Sequence, residues 1–388
     1  MDRLFSIMKR EFGIFFTNKI MVTMFIIGPI FYGLLYGSVY SKGKLINLPI
    51  IIVDQDNTAT SAALVDMIDQ PELLQVKEVK RENVDLEKVF MDEMAYAVVN
   101  IPYNFQRDLM QGRYPEINTY INNANLLPSG YLNRSISNVI GTFNVQQSAA
   151  AGKTTAALHL NTFRLFNPAG TYFLFAWPSY LFLVLQAVVM VVFAFSFALE
   201  QENSSFISLY EQSGRSVLIL MIGKLVPYLI LSLISMSIYI IYFYLFRQPY
   251  PKHILPLLLS NTIFIISCAF IGLIVGTVVK SQLKSLQALM ILSMPIYISS
   301  GFSWPYDQQD GQLAQWFSML FPYMPSVNAL RILLIEQGAL WDIGKYLNMQ
   351  ILQLLAYFII AYLTILLQVR EKGRKTGTAS FVLSDDGS

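Results

Sequence analysis

Charged residues, cysteine and histidine are all scarce in this chain of 388 residues. Asp, Glu, Lys and Arg make up 13% of the sequence, about half of their share in a soluble domain, and apolar residues reach 54%. The single cysteine, Cys268, excludes an intramolecular disulfide framework and a thiolate-rich metal site, and two His leave little material for metal or general-base chemistry. A net charge of +2 argues against a nucleic-acid-binding protein. The composition indicates a membrane protein.

Six stretches of at least 20 residues contain no charged side chain, and a helix needs about 20 residues to cross the hydrocarbon core of a bilayer. They are Ile20–Tyr40, Thr171–Leu199, Leu225–Phe246, Ile254–Val279, Ser285–Trp304 and Tyr346–Val369. The fifth is diluted by serine and proline, which a span tolerates only where it faces protein or a water-filled path. The sequence predicts an α-helical polytopic membrane protein with six transmembrane helices, the first over 20–40 and the other five over 171–369.

Basic residues predict the side of the membrane on which each connection lies. Twelve Lys and Arg flank the termini and the connections after the second and fourth spans, and four lie in the short connections on the opposite side. Both termini are therefore predicted to be cytoplasmic. Residues 1–19 are predicted to form an amphipathic helix in the membrane interface, because apolar side chains from Leu4 to Phe15 recur at helical spacing. Residues 370–388 are predicted to form a cytoplasmic tail.

The connection between the first two spans, residues 41–170, has the composition of a soluble domain, with 11 Lys or Arg and 13 Asp or Glu. Three predicted strands alternate with two predicted helices, which is typical of a small α/β domain. In chain order these elements are Leu48–Asp54, Thr60–Ile68, Ala95–Ile101, Phe105–Met110 and Glu116–Ile121. A helical pattern from Tyr131 to Phe166 would return the chain to the second span. We expect an extracytoplasmic α/β domain here.

The apparent active-site motifs do not meet the requirements of catalysis. Gly152-Lys153-Thr154 resembles the end of a phosphate-binding loop, but Gln147 stands where the first glycine of that motif must be. Asp54 and Asp56 could form a metal or acid–base pair, but a strand-end turn whose carboxylates accept backbone N–H bonds is the simpler interpretation. We expect that the chain is not itself an enzyme.

The order of these segments, together with several short motifs, resembles the type-2 ATP-binding-cassette (ABC) export permeases that carry a large extracytoplasmic domain between their first two transmembrane helices. The motifs are Leu48–Asp56, Ile101-Pro102-x-x-Phe105, Phe166-Asn167-Pro168, Gly223-Lys224-x-x-Pro227-Tyr228 and Ser300–Pro305. One stretch departs from the family pattern. Where its members carry Arg-Glu-Arg-Glu-x-Gly-Thr after the second span, this chain has Leu199-Glu200-Gln201-Glu202-Asn203-Ser204-Ser205.

The resemblance implies the permease subunit of an ATP-driven exporter in the bacterial inner membrane. Such a subunit works by alternating access, as a homodimer or a pseudo-symmetric heterodimer with cytoplasmic ABC ATPase subunits. ATP and Mg are then expected on the ATPase, and no cofactor on this chain; membrane lipid and a periplasmic adaptor are further candidate partners, whereas nucleic acid is not. Because no predicted span contains a charge, a lipophilic drug, a lipid or a lipid-linked molecule fits better as substrate than an inorganic ion.

The longest internal cytoplasmic connection, Glu200–Gly223, is the first candidate functional segment. A membrane subunit without a nucleotide site must receive work from its partner through an element that the cytoplasm can reach. We expect this loop to couple to the ATPase, although an interfacial helix on lipid would show the same pattern. Its candidate residues are Glu200, Glu202, Phe206, Tyr210 and Lys224.

The outer segment 304–334 is too apolar for a solvated connection, and prolines and charges exclude a straight spanning helix. It is predicted to form an outer gate of short re-entrant helices, with an aromatic interfacial belt as the alternative. Its candidate residues are Trp304, Pro305, Trp316, Phe321, Pro322 and Arg331.

Polar side chains within the apolar spans form the last candidate set. They could line a translocation path or join helices by hydrogen bonds. They are Gln186, Ser235, Asn261, Ser293 and Ser299.

Two other functions remain open from the sequence. The first is a non-transporting membrane sensor or envelope-assembly protein that acts through its outer domain. The second is a secondary transporter, which is disfavoured because such proteins usually place ionisable residues near the midplane. Stimulation of a cytoplasmic ATPase by this chain would separate an exporter from both.

Overall fold

The computed structural model describes residues 2–40, 45–92, 94–113, 115–122, 126–150, 172–248, 250–302 and 312–375. Trp304, Pro305, Gly152-Lys153-Thr154 and the end of the predicted tail lie outside these residues. The chain divides into two compact units, one formed by Met1–Gly43 with Arg164–Ser388 and the other by Lys44–Phe163.

The first unit is built from helices. Before the sheet-containing unit they are α1 (Asp2–Thr17), α2 (Lys19–Val22), a π-helical turn (Thr23–Ile27) and α3 (Gly28–Tyr40). After it they are α8 (Tyr172–Glu202), α9 (Phe206–Gln212), α10 (Val217–Leu245), α11 (Ile254–Val279), α12 (Gln282–Ser299), α13 (Gln312–Met319), α14 (Tyr323–Leu334) and α15 (Gly344–Lys375).

Among the described residues, five helical segments are long and apolar enough to cross a membrane. They are Lys19–Val39, Phe173–Glu202, Val217–Leu245, Ile254–Val279 and Gly344–Gly373. These segments match five of the six predicted spans. The predicted fifth span coincides with α12, which has 18 residues and carries Lys284 in its first turn. A count of six spans therefore stays a prediction.

The first span is an irregular helix, and Pro29 explains why. Proline has no N–H, so the Phe25 carbonyl cannot receive the ordinary helical bond from four residues later. The helix widens into the π-helical turn just before this point. Ser235 of α10 donates its hydroxyl to the same carbonyl at 3.3 Å. Ser235 thus joins two helices, which is the alternative that the sequence left open for the polar positions within the spans.

Helices α8 and α11 approach each other closely through two glycines one turn apart. A Cβ on Gly272 would lie 2.2 Å from the Met190 carbonyl oxygen, and one on Gly276 would lie 2.3 Å from that of Ala194. Real side chains do not tolerate such distances, so only glycine permits this packing. The Gly-x-x-x-Gly spacing at 272–276 is the sequence signal of a close helix pair in membranes.

The outer segment folds as two short helices, α13 and α14, in its described part. At about 18 Å, the 12 residues of α14 are too short to cross the hydrocarbon core. Ten of them are buried, from Tyr323 to Leu334. Gln350 of α15 donates to Ser326 at 2.7 Å, and Gln353 donates to the Met319 carbonyl at 2.7 Å. Helix α14 is thus buried against protein, whereas α13 is exposed or partly buried apart from Ser318, its buried residue. The re-entrant arrangement and the function as a gate stay predictions.

The second unit is an α/β unit with a four-stranded sheet. Its elements are β1 (Leu48–Asp54), α4 (Ala59–Asp69), β2 (Leu74–Lys80), α5 (Leu86–Met91), β3 (Ala97–Ile101), α6 (Phe105–Met110), β4 (Asn118–Ile121) and α7 (Leu126–Ala150). The strand order is β2-β1-β3-β4, with β1 parallel to both neighbours and β3 antiparallel to β4. The three predicted strands and both predicted helices are present, with small shifts at their ends. The predicted helix from Tyr131 to Phe166 is described only as far as Ala150.

Strand β2 and helix α5 were not predicted from the sequence. The strand Leu74–Lys80 lies at the edge of the sheet and is mostly exposed, so it carries charges instead of a continuous apolar run. Its neighbour β1 is buried on both faces, because α4 packs on the side of Ile50 and Ile52 while α5 packs on the side of Ile51. That double burial explains the uninterrupted apolar sequence of β1.

The carboxylates at the end of β1 have the structural role that the sequence favoured. One oxygen of Asp54 accepts the N–H groups of Asp56 and Asn57, and the other accepts the hydroxyl of Ser61 at 2.7 Å. Asp56 accepts the N–H of Gln106 at 3.0 Å. No group of three metal-ligating side chains occurs among the described residues.

Candidate functional site

The predicted coupling loop is mostly helical. Helix α8 continues to Glu202, and Ser204 turns the chain with a φ of 56°. Helix α9 then forms about two turns before Gly214 and Arg215, both at positive φ, redirect the backbone. Helix α10 begins at Val217, where the Ser216 side chain caps it, eight residues before the predicted start of the span at Leu225. Lys224 therefore lies inside a helix and not in a loop.

Helix α1 packs along this segment with a stripe that differs from the predicted one. Its buried side chains are Ile7, Glu11 and Phe15, four residues apart, whereas the sequence pattern indicated Leu4, Met8, Phe12 and Phe15. Leu4, Met8 and Phe12 are partly buried at the sides of the stripe. The carboxylate of Glu11 therefore lies at the centre of the buried face, and a search for apolar residues at helical spacing cannot find it.

Glu200 is the hub of a buried ionic cluster between α1, α8, α9 and α10. Its side chain is 1% exposed, and Arg10 binds both of its oxygens, at 2.6 and 3.0 Å. Lys224 donates to the same carboxylate at 3.2 Å. Ser205, which precedes the first residue of α9, donates its hydroxyl to Oε2 of Glu200. One side chain thus connects α8 with α1, with the start of α9 and with α10.

The second carboxylate of the cluster is Glu11, which is completely buried. Its Oε1 lies 2.8 Å from Nζ of Lys224, and its Oε2 accepts the hydroxyls of Ser196 at 2.8 Å and Tyr228 at 3.2 Å. Lys224 also donates to the Ser196 hydroxyl at 2.8 Å. Every oxygen of both carboxylates therefore has a partner, which is the condition under which buried charges are tolerated.

The four ionisable side chains of the cluster balance in charge, with Arg10 and Lys224 against Glu11 and Glu200. Burial alone would lower the pKa of the Arg10 guanidinium, but the hydrogen bonds and charges of Glu200 and Glu11 outweigh it, so this pKa lies above its usual value. Arg10 stays charged at any physiological pH. Because ionic hydrogen bonds join its members, α1, α8 and α10 cannot shift relative to one another at this point without breaking some of these bonds.

Helix α9 turns its apolar side inward. Phe206 and Leu209 are buried in a cluster with Ile7 and Ile365, and Tyr210 is partly buried against the same cluster. Between Glu202 and Arg215 the exposed residues are polar apart from Gly214, and they are Glu202, Asn203, Ser204, Ser208, Glu211, Gln212 and Arg215. Any partner that binds this segment meets that polar surface, which we call the α9 surface.

Two further contacts hold the α9 surface in place. Gln212 donates its side-chain amide to the Ser6 hydroxyl of α1 at 2.8 Å. Glu202 accepts the backbone N–H of Gln282 at 2.9 Å and its side-chain amide at 2.6 Å, which joins the end of α8 to the start of α12. The surface is therefore anchored to α1 on one side and to α12 on the other.

The polar candidate residues within the spans lie at separate places in the structure. Ser293 and Ser299 donate their hydroxyls to carbonyls of their own helix. Gln186 is buried, and its side-chain oxygen has no partner among the residues that the structure describes. Asn261 lines an apolar recess between α10 and α11. Ser235 bonds to the first span, as described above.

The candidate gate residues lie at different depths. Trp316 is 72% exposed, Phe321 is partly buried, and Pro322 is buried at the start of α14. Arg331 is partly buried near Glu336.

Sequence reasoning missed Arg10, Glu11, Ser196 and Tyr228 as members of this cluster. The usable signal was Glu11, an acid amid the apolar positions of α1, together with Lys224, a lone base in a continuous helical pattern. Two such charges of opposite sign on largely apolar helices favour a buried pair. Which helix supplied each partner could not be read from the sequence.

Comparison with known proteins gives a family match over most of the chain. Residues 19–363 match the family model described as ABC-2 family transporter protein. The chain is 23% identical over 325 residues to the inner membrane transport permease YhhJ of Escherichia coli (strain K12). The aligned stretch covers 79% of this chain and 83% of that protein. The protein of the same name from Shigella flexneri matches with the same identity and coverage.

Proposed function

The chain belongs to the ABC-2 family of transporter proteins and is a multi-pass inner-membrane permease of an ABC transporter, and from this we propose that it exports a lipophilic or lipid-linked molecule. Membership implies an ABC ATPase subunit as partner, on which ATP and Mg bind. We further propose that the permease works as a dimer with a second copy or a paralogue, with its termini in the cytoplasm and its α/β unit outside.

The ionic cluster carries the proposal for coupling. The α9 surface follows the second span, and by the family resemblance we expect the contact with the ATPase there. Glu200 lies directly beneath this surface and binds Arg10, Lys224 and Ser205. In our proposal a force on α9 therefore reaches α1, α8 and α10 together. Glu200 and Lys224 are too buried to touch the ATPase, so they act as positioning residues, and exposed residues such as Glu211 make the contact.

The test of this coupling is a charge reversal on the α9 surface. Glu211→Lys should reduce co-purification of the ATPase and its stimulation by this chain by about tenfold, the equivalent of about 1.4 kcal/mol of binding free energy. Glu82→Lys is the matched control, because Glu82 is an exposed acid in the α/β unit. Unchanged co-purification and unchanged stimulation with Glu211→Lys would remove α9 from the docking role.

Export needs a separate measurement. Inside-out membrane vesicles that contain the chain and its ATPase should accumulate a fluorescent lipophilic substrate when ATP is added, and vesicles with an ATPase unable to hydrolyse ATP should not. Stimulated ATP hydrolysis without accumulation of any lipophilic probe would favour the non-transporting alternative. Accumulation in right-side-out vesicles loaded with ATP would reverse the proposed direction.

A further inference from the structure

An apolar recess opens between α8, α10, α11 and α14, away from the ionic cluster. Its deeper walls include Leu181, Leu185 and Leu257, and its rim includes Ile240, Tyr250 and Ile254, which are 47%, 51% and 56% exposed. The exposed rim shows that the recess opens onto the surface of the helical unit. Since α10 and α11 are both long and apolar enough to span a membrane, we expect this surface to meet the hydrocarbon of the bilayer.

The recess suits an apolar occupant better than water. It encloses about 90 Å³, whereas one water needs about 10–15 Å³ by the same measure. A buried water also needs two to four polar partners. Asn261 is one polar side chain of the lining, and the phenol of Tyr239 is already bonded to the Leu181 carbonyl at 3.2 Å. The remaining lining is apolar apart from the rim phenol of Tyr250.

A charged side chain lies beside this recess. Pro178, Leu330 and Leu334 also line a smaller recess, to which Arg331 contributes. Among the described residues the guanidinium is paired with Glu336 at 3.7 Å, which is beyond hydrogen-bond distance, and its Nε is buried without an acceptor. A buried guanidinium N–H without an acceptor is costly, and an anionic oxygen would satisfy it.

The mouth of the recess is held by a fixed contact. Gln337, which follows α14, accepts the backbone N–H of Lys252 at 2.8 Å. Lys252 follows Tyr250 and Pro251 in the connection that forms part of the rim. Two connections at the same end of the helical unit are thereby joined.

We propose that this recess binds one acyl chain of an anionic membrane phospholipid, whose headgroup phosphate is held by Arg331. The proposal combines an apolar cavity open to the bilayer with an under-bonded guanidinium at its edge. It concerns binding alone and stands whether or not the chain exports this lipid. A free phosphate offers the same headgroup chemistry, and the experiment distinguishes the two.

The test uses the full chain purified in mild detergent, with bound lipid counted by native mass spectrometry. The probes are phosphatidylglycerol, a diacylglycerol with the same chains, and inorganic phosphate. Leu258→Trp fills the recess from its rim, and Leu259→Trp is the matched control, because Leu259 is similarly exposed on α11 but does not line the recess. Arg331→Gln removes the charge, and Arg331→Lys retains it.

We expect one retained phosphatidylglycerol, with about tenfold lower occupancy in Leu258→Trp and in Arg331→Gln, the equivalent of about 1.4 kcal/mol, and little change in Leu259→Trp or Arg331→Lys. Diacylglycerol binding should be weaker, should fall in Leu258→Trp and should not respond to Arg331→Gln. Equal occupancy in Leu258→Trp and Leu259→Trp would overturn the site. Unchanged phosphatidylglycerol binding in Arg331→Gln would overturn the headgroup assignment, and displacement of the lipid by inorganic phosphate alone would overturn the need for the acyl chain.

Discussion

Replacing Lys224 by methionine tests whether the buried ionic cluster ties α1 to the long helices. Lys224 is completely buried and donates to Glu200 and to Ser196, with Glu11 at 2.8 Å as its closest charge. Methionine keeps much of the side-chain length and removes the charge. The variant leaves two carboxylates facing the single cation Arg10, so the buried cluster acquires a net negative charge.

The expected loss follows from that imbalance. Removing one partner of a buried ion pair costs about 3–5 kcal/mol, because the remaining charge stays buried without compensation. Glu11→Gln should cost a similar amount for the opposite reason, since it leaves an excess of positive charge. The double variant is neutral again, so its loss should be smaller than the sum of the two single losses by about 2 kcal/mol.

The measurement is the free energy of unfolding in mixed micelles with increasing denaturing detergent, for both single variants and the double variant. Lys284→Met is the matched control, because Lys284 is exposed at the start of α12 and its loss should change stability by no more than about 0.5 kcal/mol. Protease cleavage within α1 should also become faster in Lys224→Met. If Lys224→Met costs no more than Lys284→Met, or if the two single losses simply add, the cluster does not tie these helices together.

Three further predictions follow from the packing. Gly276→Leu should lower the free energy of unfolding by more than about 3 kcal/mol, because the new side chain would meet the backbone of α8. Gly344→Leu should be tolerated, because the space at its Cβ is open. Equal effects of the two substitutions would contradict the close approach of α8 and α11. Ser235→Ala should lower the free energy of unfolding by about 1 kcal/mol, because it removes the hydrogen bond to the first span. Ser237→Ala should lower it less, because the Ser237 hydroxyl bonds to its own helix. A larger loss of stability in Ser237→Ala than in Ser235→Ala would refute this prediction. Residues 45–150 expressed alone should melt in a single cooperative thermal transition, and a gradual, non-cooperative signal would show that this unit depends on the rest of the chain.

The sequence determined the features that depend on local pattern. Long charge-free stretches specify spanning helices, because a charge in the bilayer core is expensive whatever the neighbouring helices are. Five of them are present as long helices near the predicted bounds. The uninterrupted apolar strand Leu48–Asp54 and the short helix Phe105–Met110 were likewise predictable, since burial on both faces and turn residues at each end leave a local signature.

Some local signals were present but weak. The edge strand Leu74–Lys80 carries charges on its exposed positions, so its pattern does not differ clearly from that of a loop. The glycine spacing at 272–276 indicates a close helix pair, but it does not identify the partner. The sequence also could not show that α10 starts eight residues before Leu225, because Lys224 interrupts the apolar run that defines a span.

Only the tertiary structure decided which charges face each other. Glu11 and Glu200 are separated by 189 positions in the sequence, yet both contact Lys224. Such a cluster depends on the packing of α1, α8 and α10, and the energy of each charge depends on partners from other helices. The same holds for Ser235, whose hydroxyl finds its acceptor in a carbonyl of the first span. It holds also for Arg331, which lies next to residues that line the recess between α8, α10, α11 and α14. The sequence shows which charged and hydroxyl side chains the protein has, and only the fold brings their partners within bonding distance.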